Sequence, residues 1–405
     1  MNIGSVVMLA IQVYLGFLTA SSGSPSAGES FDTPPQEVLV HAVSKPRMEW
    51  KVDFGQGIKV GPVVAPDGWA YIASWPGSNL TAIKPDGSRA WTIRFTSPVA
   101  AAPAFGPSGD LFLSCEVGVA SRVDPHTGSI LWTQDLGRPV ATSLAIAADG
   151  MIIATTVEGQ ILALSDSGDL LWRNRVSERQ MSSPSIDGSG NIYAHDSAFM
   201  LWKVSSEGQI IWTRDLGAVA DSIGISYEFN YSGEPPHPVM IDEGPVVVIG
   251  RAVVRLDRFS KVIWTYTTSW DISSQPVVQE DNSLYFGNSD YRVYAVSNEG
   301  ELMWTAATDD HVLTVPVALN DGYILAGSTD YLLYLLDPDG TIVWSFLAHP
   351  GLIGTHLSLD SERGRVLYSS SGALVSVKIG NWSLAQSSWP MFRGGSSYSG
   401  RPFKR

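Results

Sequence analysis

The sequence is poor in cysteine and in charge. Cys115 is the only cysteine among 405 residues, which excludes an intramolecular disulfide framework and a cysteine-ligated metal cluster. Its setting, Leu-Phe-Leu-Ser-Cys, indicates a strand and therefore a buried, inert thiol. Only 16% of residues are charged, and 26 Lys and Arg against 40 Asp and Glu give a net charge of −14. A surface of that sign repels phosphate backbones, so we expect no nucleic-acid partner.

Spacings typical of a catalytic or metal site are also missing. The seven histidines are scattered, with no His-x-His or His-Glu-x-x-His pair that would converge on a metal ion. No Asp-x-Asp-x-Asp-Gly loop supports calcium binding. A Ser-His-Asp or Cys-His nucleophile cannot be assembled from the order of these residues. The sequence therefore predicts no catalytic residue and no metal ligand.

What the chain does have is a regular series of tryptophans. Successive members are 41, 41, 40, 40, 52, 40 and 40 residues apart. This period suits one four-stranded blade of a β-propeller. We expect each indole to lie between adjacent blades, a structural role in blade docking rather than a ligand-stacking one. The series comprises Trp50, Trp91, Trp132, Trp172, Trp212, Trp264, Trp304 and Trp344.

One unit, between Trp264 and Trp304, shows why the repeats are strands. Short β-branched and aromatic runs alternate with turns at Asp281-Asn282, Asn288-Ser-Asp290 and Asn298-Glu-Gly300. Gly and Asn accept the positive φ that tight hairpin turns require. Four strands per unit follow, and no unit offers the three-to-four-residue apolar spacing of a helix.

Counting strands predicts how the ring closes. Eight sets of three inner strands begin near Gly57, Pro98, Pro139, Met181, Val239, Ile272, Val312 and Leu352. The lone segment Met48-Glu-Trp-Lys-Val has no blade upstream, so we expect it to supply the fourth strand of the last blade, which would leave no open sheet edge. The fold class is therefore all-β, an eight-bladed propeller of four-stranded antiparallel blades. Seven blades are the alternative. His311 and His356 fall at or near inner strands and are expected to line the channel.

The chain divides into four parts. Residues 1–22 resemble a secretory signal, because Val6 to Ala20 form an apolar run followed by small residues. This predicts export to a periplasmic, cell-surface or extracellular location, with a retained membrane anchor as the alternative. Residues 23–45 are a Ser/Pro/Gly-rich linker, residues 46–379 the propeller, and residues 380–405 a tail packed on it. Asn79, Asn230 and Asn381 are Asn-x-Ser/Thr acceptors, relevant only where the host glycosylates exported chains.

One interval departs from the period. The 52 residues between Trp212 and Trp264 include about twelve extra ones, residues 226–237. We expect this loop on the same face as the turns between second and third strands, which carry Glu116, Glu158, Asp196, Asp290 and Asp330. Loops on a rigid scaffold are common binding elements. The alternative is that the loop only caps the channel and the acids only form turns. The candidate partner-binding residues are Tyr227, Glu228, Phe229, Tyr231, His237, Asp290 and Asp330.

The repeat itself resembles a known family. Its pattern, Ser-x-Pro … Asp-Gly … Tyr … Gly-Ser-x-Asp … Leu-Tyr … Asp-x-x-Gly-x-x-x-Trp, is similar to the pyrroloquinoline-quinone (PQQ)-type propeller repeat across residues 46–379. The tail from Trp389 to Arg393 is similar to the Trp-Pro-x-Phe-Arg … His-Thr-Gly segment that flanks such propellers. Tyr398 and Ser399 stand where His and Thr are usual.

The resemblance implies two functions. The family includes BamB-like propellers of outer-membrane assembly, which implies a non-catalytic, exported, monomeric scaffold without a cofactor. Its expected partner is a protein, with a polysaccharide as the alternative. It also includes quinoprotein dehydrogenases, which implies the alternative of an oxidoreductase with PQQ and calcium in the funnel. Quinoprotein alcohol dehydrogenases use a vicinal disulfide, which this chain lacks. We therefore predict that the chain is not an enzyme.

Overall fold

The computed structural model describes residues 44–400, except residues 56, 59, 75–76, 226–235, 242–243, 348, 352–355 and 396–397. Its strands are β1 (Arg47–Asp53), β2 (Val63–Val64), β3 (Ala70–Ser74), β4 (Asn79–Ile83), β5 (Arg89–Arg94), β6 (Ala104–Phe105), β7 (Leu111–Cys115), β8 (Val119–Val123), β9 (Ile130–Asp135), β10 (Ala145–Ile146), β11 (Ile152–Thr155), β12 (Gln160–Leu164), β13 (Leu170–Arg175), β14 (Ser185–Ile186), β15 (Ile192–His195), β16 (Met200–Val204), β17 (Ile210–Asp215), β18 (Val239–Ile241), β19 (Gly244–Ile249), β20 (Ala252–Leu256), β21 (Val262–Thr267), β22 (Val277–Val278), β23 (Leu284–Asn288), β24 (Arg292–Val296), β25 (Leu302–Ala307), β26 (Val317–Ala318), β27 (Ile324–Gly327), β28 (Leu333–Leu336), β29 (Ile342–Phe346), β30 (Ser358–Asp360), β31 (Arg365–Ser370) and β32 (Ala373–Lys378).

These strands form eight four-stranded antiparallel sheets, which confirms the eight-bladed propeller. Blades 1 to 7 each take four consecutive strands, from β2–β5 to β26–β29. Blade 8 has the order β1-β32-β31-β30, so the first strand completes the last blade. Trp50 lies opposite Ser376 and Val52 opposite Leu374 in this closing ladder. The inner strand β2 contacts β30, which closes the ring.

Helix is nearly absent from the described residues. A short helix, α1 (Gly217–Ser222), follows β17, and a 3-10 turn spans Asn320–Gly322. No helix in the part of the chain that the structure describes is long and apolar enough to cross a membrane.

The hydrophobic core lies between the blades. The two middle strands of each blade are almost entirely buried, as in Ala70–Ser74, whereas the outer strands alternate between exposed and half-buried residues. Aliphatic side chains of facing sheets pack into clusters, such as that of Phe112, Leu144 and Leu162 between blades 2 and 3. Each blade therefore buries its faces only against its neighbours, as repeat architectures require.

Seven of the eight repeated tryptophans fasten one blade to the next. Their Nε1 atoms donate to a carbonyl in the turn between the third and fourth strands of the following blade, at 2.7–3.1 Å. In six of the seven turns a glycine lies against the indole: a Cβ at Gly340, whose φ is +81°, would come within 2.5 Å of the Trp304 ring. These six turns therefore use glycine for backbone conformation and for ring contact, whereas the turn that meets Trp212 has Ser260 at φ +72°.

Trp344 is the exception. It belongs to blade 7, and the next blade in the ring is blade 8, whose third and fourth strands come from opposite ends of the chain. No turn joins β32 to β1, and the buried Nε1 of Trp344 has no hydrogen-bond partner within the described ranges. Among the described residues, the interface between blades 7 and 8 therefore lacks the indole-to-turn hydrogen bond of the other seven interfaces.

Candidate functional site

The centre of the ring is lined by the residue that lies two positions before each inner strand. We call these eight residues the hub: Gly61, Ala102, Ser143, Ser183, His237, Gln275, Val315 and His356. All are buried. Neighbouring members touch: the Ser143 amide donates to Ser183 Oγ at 2.8 Å, and a Cβ at Gly61 would lie 2.8 Å from the His356 ring.

The C-terminal tail fills one end of this hub. Phe392 stacks on His356, with ring centroids 4.2 Å apart and planes 10° from parallel, and its ring lies 5.6 Å from that of His237. Arg393 donates to the carbonyls of Pro184 and Leu144 at 3.1 and 2.6 Å. We call this side the tail face. The channel is therefore closed here by the chain's own side chains.

Backbone hydrogen bonds hold the tail across the ring. The amides of Val278 and Ala318, in blades 6 and 7, donate to the carbonyls of Trp389 and Pro390 at 2.8 and 2.7 Å. The amide of Ile146, in blade 3, donates to the Ser399 carbonyl at 2.8 Å. The tail thus connects blades on opposite sides of the hub.

The hub histidines are neutral at ordinary pH. Burial lowers the pKa of His356 to about 4. Burial, and then the charge of Arg393, hold the pKa of His237 well below its usual value. His356 Nε2 lies 3.0 Å from the Pro62 carbonyl, which fixes the ring. Of the two histidines expected to line the channel, His356 does so, whereas His311 lies on the opposite face with a side chain that is 42% exposed.

The hub does not fit a calcium-quinone site. Calcium takes six to eight oxygen ligands, usually including carboxylates, and none of the eight hub residues is acidic. Within the described residues, no group of three or more His, Cys, Asp or Glu side chains could hold a metal ion. The ring of Phe392 also occupies the space beside the two histidines.

A cleft of about 270 Å³ opens between blades 4 and 5 on the tail face. Lys203 lies in it with Nζ 3.6 Å from Asp187 Oδ2 and 5.2 Å from the centre of the Tyr193 ring. Tyr193 also donates to Asp187 at 3.1 Å. The buried cation of this cleft is therefore already paired within the blade.

The face opposite the tail carries the connections between blades and the turns between second and third strands, and we call it the loop face. Four of its loops form what we call the acidic arc: residues 268–273, 288–291, 308–314 and 328–332, on blades 5 to 7. Hydrogen bonds join each loop to the next, from Ser289 N to Asp271 O at 3.1 Å, from Thr308 N to Tyr291 O at 2.8 Å and from Thr329 N to His311 O at 2.9 Å. The arc is one continuous surface.

Large apolar side chains are exposed along this arc. Trp270 is 62% exposed, Tyr291 45%, Leu313 44% and Tyr331 41%. His311 packs edge-on against Tyr291, with ring centroids 4.8 Å apart. On the loop face of blades 2 to 4, only Val117 of the described residues is a large exposed apolar side chain. Exposed apolar patches of this kind often mark interaction sites.

The loops of blades 5 to 7 also differ in charge from those of blades 2 to 4. The four arc loops contain five aspartates (Asp271, Asp290, Asp309, Asp310 and Asp330) and neither Lys nor Arg, a formal charge of −5. With the second-to-third-strand turn of blade 5, Gly250-Arg251, included, the charge of this side is 1 − 5 = −4. The corresponding five loops of blades 2 to 4 (residues 115–118, 136–142, 155–159, 176–182 and 196–199) contain four acids and two arginines, or 2 − 4 = −2. There, Arg138 pairs with Glu158 at 3.3 Å.

The predicted carboxylates also build their own turns. Asp330 Oδ1 accepts from the Leu332 amide at 2.8 Å, and its Oδ2 accepts from the Tyr334 hydroxyl at 2.6 Å. Asp290 Oδ2 accepts from Tyr294 in the same way. Burial, followed by these bonds, raises the pKa of both tyrosine hydroxyls, which keeps them protonated donors. Turn formation and surface charge are therefore combined in the same residues.

The candidate partner-binding residues are thus divided. Asp290 and Asp330 lie in the acidic arc, and His237 lies in the hub, 3% exposed and 6.0 Å from the Trp389 ring. Tyr227, Glu228, Phe229 and Tyr231 lie outside the described residues. Sequence reasoning missed the exposed Trp270 and the adjacent Asp309-Asp310 pair. A detectable signal was the Asp-Tyr pair at matching turns of two consecutive repeats, Asp290-Tyr291 and Asp330-Tyr331.

Comparison with known proteins adds to this geometry. The model of the family described as outer membrane protein assembly factor BamB matches residues 116–228 and 250–399. The crystal structure of BamB from Moraxella catarrhalis superposes with a TM-score of 0.64 at 17% identity, covering 83% of this chain and 100% of that one. The computationally designed Ika8 protein gives a TM-score of 0.65 at 12% identity, covering 82% and 100%. These likenesses show a shared fold. No curated protein matches the chain in sequence.

Proposed function

Since this chain belongs to the family of PQQ-like propellers described as outer membrane protein assembly factor BamB, we propose that it is an exported, non-catalytic propeller that binds another protein through the acidic arc. The observation that carries the proposal is the continuous, exposed aromatic and acidic surface on blades 5 to 7. Aromatic side chains are enriched at protein interfaces because they bury a large apolar area and keep a polar edge.

The state of the reactive side chains supports a non-catalytic role. His237 and His356 are sealed in the hub, where burial disfavours their charged forms. Cys115 is 1% exposed, and burial raises the pKa of its thiol to about 11, so it carries no nucleophilic thiolate near neutral pH. The hub also lacks the carboxylates that a calcium-bound quinone cofactor would need.

Export is supported by the start of the chain and by the family. Val6 to Ala20 form an apolar run of about fifteen residues followed by small residues, as in a secretory signal. The family description places its members in outer-membrane assembly. The partner that fits this setting is another protein of the cell envelope.

A photo-crosslinking residue on each side of the loop face tests the proposal. The crosslinker replaces Tyr331 in the acidic arc and, as the matched control, Val117, which is 56% exposed on blade 2. We expect one discrete adduct at position 331 in cells of the native host and none at position 117. The adduct should disappear when Trp270 and Tyr291 are both changed to Ala, because these changes remove apolar contact area.

Two outcomes contradict the proposal. Adducts of equal yield at positions 117 and 331 would mean that the arc has no special role. Absence of a discrete adduct at position 331, with normal amounts of folded protein, would mean that no partner docks there.

A further inference from the structure

We infer that the partner presents an extended segment bearing arginine or lysine to the acidic arc, an inference that rests on the proposed function. Three features of the arc point to this occupant: exposed aromatic rings, a strained backbone that presents two of them, and carboxylates on loops that contain neither Lys nor Arg.

The first feature is the placement of the rings. Trp270, Tyr291 and Tyr331 lie on loops that follow one another along blades 5, 6 and 7. A segment that touches all three must run along the loop face. It cannot enter the channel fully, because Phe392 fills the space between His237 and His356. The geometry therefore fits a chain laid across the surface.

The second feature is the backbone of the two tyrosines. Tyr291 and Tyr331 have φ values of +68° and +76°, a region that bulky side chains rarely adopt. The same turn position in blades 2 and 3 is Gly118 and Gly159. A Cβ at Gly118 would lie 2.0 Å from the Arg138 carbonyl oxygen, so that turn has no room for a side chain.

Burial of the rings offsets this strain only in part, since Tyr291 contacts His311 on one side and both rings remain exposed on the other. Tyr291 is 45% exposed and Tyr331 is 41% exposed. Strained residues that persist without a full packing gain are concentrated at binding sites. Phe199, at the matching position of blade 4, has φ +60° but is 1% exposed, and it packs on the His195 ring at 5.4 Å. The two tyrosines differ from it by facing outward.

The third feature is unbalanced charge. Asp271, Asp309 and Asp310 belong to loops without Lys or Arg. Two arginines flank the arc, and both donate to other groups: Arg292 to the Thr305 hydroxyl at 3.3 Å, and Arg251 to the Gly224 carbonyl at 3.4 Å. On the opposite side of the face, Glu158 already has Arg138 as its partner. A cationic partner would supply the positive charge that these arc loops lack.

Aromatic rings beside carboxylates are a favourable environment for a guanidinium or ammonium group. The face of a Trp or Tyr ring attracts a cation within about 6 Å of its centre. A carboxylate beside the ring accepts the hydrogen bonds of the same group, and arginine forms such bonds in pairs. The apolar stem of arginine or lysine would meanwhile cover the exposed ring and Leu313. One side-chain type thus fits both the exposed rings and the carboxylates of the arc.

A pair of synthetic peptides tests the inference on the full-length protein. The probe is an extended peptide in which arginine alternates with leucine and serine, and its partner carries neutral, nearly isosteric citrulline instead of arginine. We expect the arginine peptide to bind at least about tenfold more tightly by fluorescence anisotropy, and its affinity to fall with salt because exposed charges are screened over about 10 Å at 0.1 M.

Matched variants locate the binding. Changing Asp271, Asp309 and Asp310 together to Asn should weaken the arginine peptide by about tenfold or more, whereas changing Glu116 and Glu158 to Gln should leave it within about twofold. Equal binding of the two peptides, or equal effects of the two sets of changes, would overturn the inference. If an adduct still forms at position 331, the proposed function stands without this partner chemistry. Loss of that adduct would contradict both the proposed function and the inferred partner chemistry.

Discussion

The hub and the acidic arc contain the same kinds of side chains in opposite states. Both have histidine beside an aromatic ring: His356 stacks on Phe392 at 4.2 Å, and His311 meets Tyr291 edge-on at 4.8 Å. The first histidine is fully buried and its pKa is lowered to about 4. The side chain of His311 is 42% exposed, and its Nε2 lies 4.0 Å from Asp310 Oδ1.

This difference shows that the presence of histidine and aromatic residues does not by itself identify a binding site in this fold. In the hub, polar groups face one another and the tail, so their loss should affect stability. In the arc, similar groups face solvent. The positive φ of Tyr291 and Tyr331 and the negative charge of the arc aspartates are not fully compensated by packing or by Lys and Arg within the four loops. We therefore expect changes in the hub to alter the free energy of unfolding, and changes in the arc to alter binding.

Two tryptophans provide the largest contrast. Trp389 is 0% exposed and Trp270 is 62% exposed. Trp389→Ala should lower the free energy of unfolding by about 4 kcal/mol, because it opens a cavity where the tail meets blade 6. Trp270→Ala should change it by less than about 0.5 kcal/mol. Urea denaturation measures both. Similar losses for the two variants would mean that hub and arc do not differ in the way described.

The hub histidine His356 provides a smaller expected effect, through the pH dependence of stability. In the unfolded chain His356 takes up a proton near pH 6.5, whereas in the folded hub it does so near pH 4. Between these values the unfolded state binds more protons. The free energy of unfolding should therefore fall as the pH is lowered, by about 3 kcal/mol in total for this residue.

Comparing slopes isolates this contribution. His356→Gln should flatten the fall in stability between pH 6.5 and 4 relative to the parent protein. His237 remains in this variant and contributes in the same direction, since its pKa is lowered by burial and by Arg393. A slope that is unchanged in His356→Gln would show that this ring is not sealed.

The sequence predicted the ring because the information for it is local and repeated. Each tryptophan precedes the next by one blade, and each turn glycine is needed by a neighbouring indole, as Gly340 is by Trp304. The closure was also predictable, because the strand containing Trp50 had no other sheet to join. These features depend on spacing, which a single sequence displays.

The difference between the acidic arc and the loops of blades 2 to 4 was not predictable from the spacing of residues in the sequence. Turn acids such as Glu158 and Asp290 look equivalent in the sequence. Only in the folded chain does Glu158 meet Arg138, twenty residues away, while Asp290 lies among other acids. His237 follows the inserted loop in sequence, yet its ring packs near Trp389, more than 150 residues later. Contacts between distant blades and the tail decide both cases.

Hydrogen–deuterium exchange with and without the arginine peptide tests the central claim most directly, because it reports on every part of the ring at once. We predict slower exchange in residues 268–273, 288–291, 308–314 and 328–332, with no change in residues 115–118, 136–142 and 155–159. Protection of blades 2 to 4 instead, or no protection on the loop face at saturating peptide, would contradict the claim that the acidic arc is the docking surface.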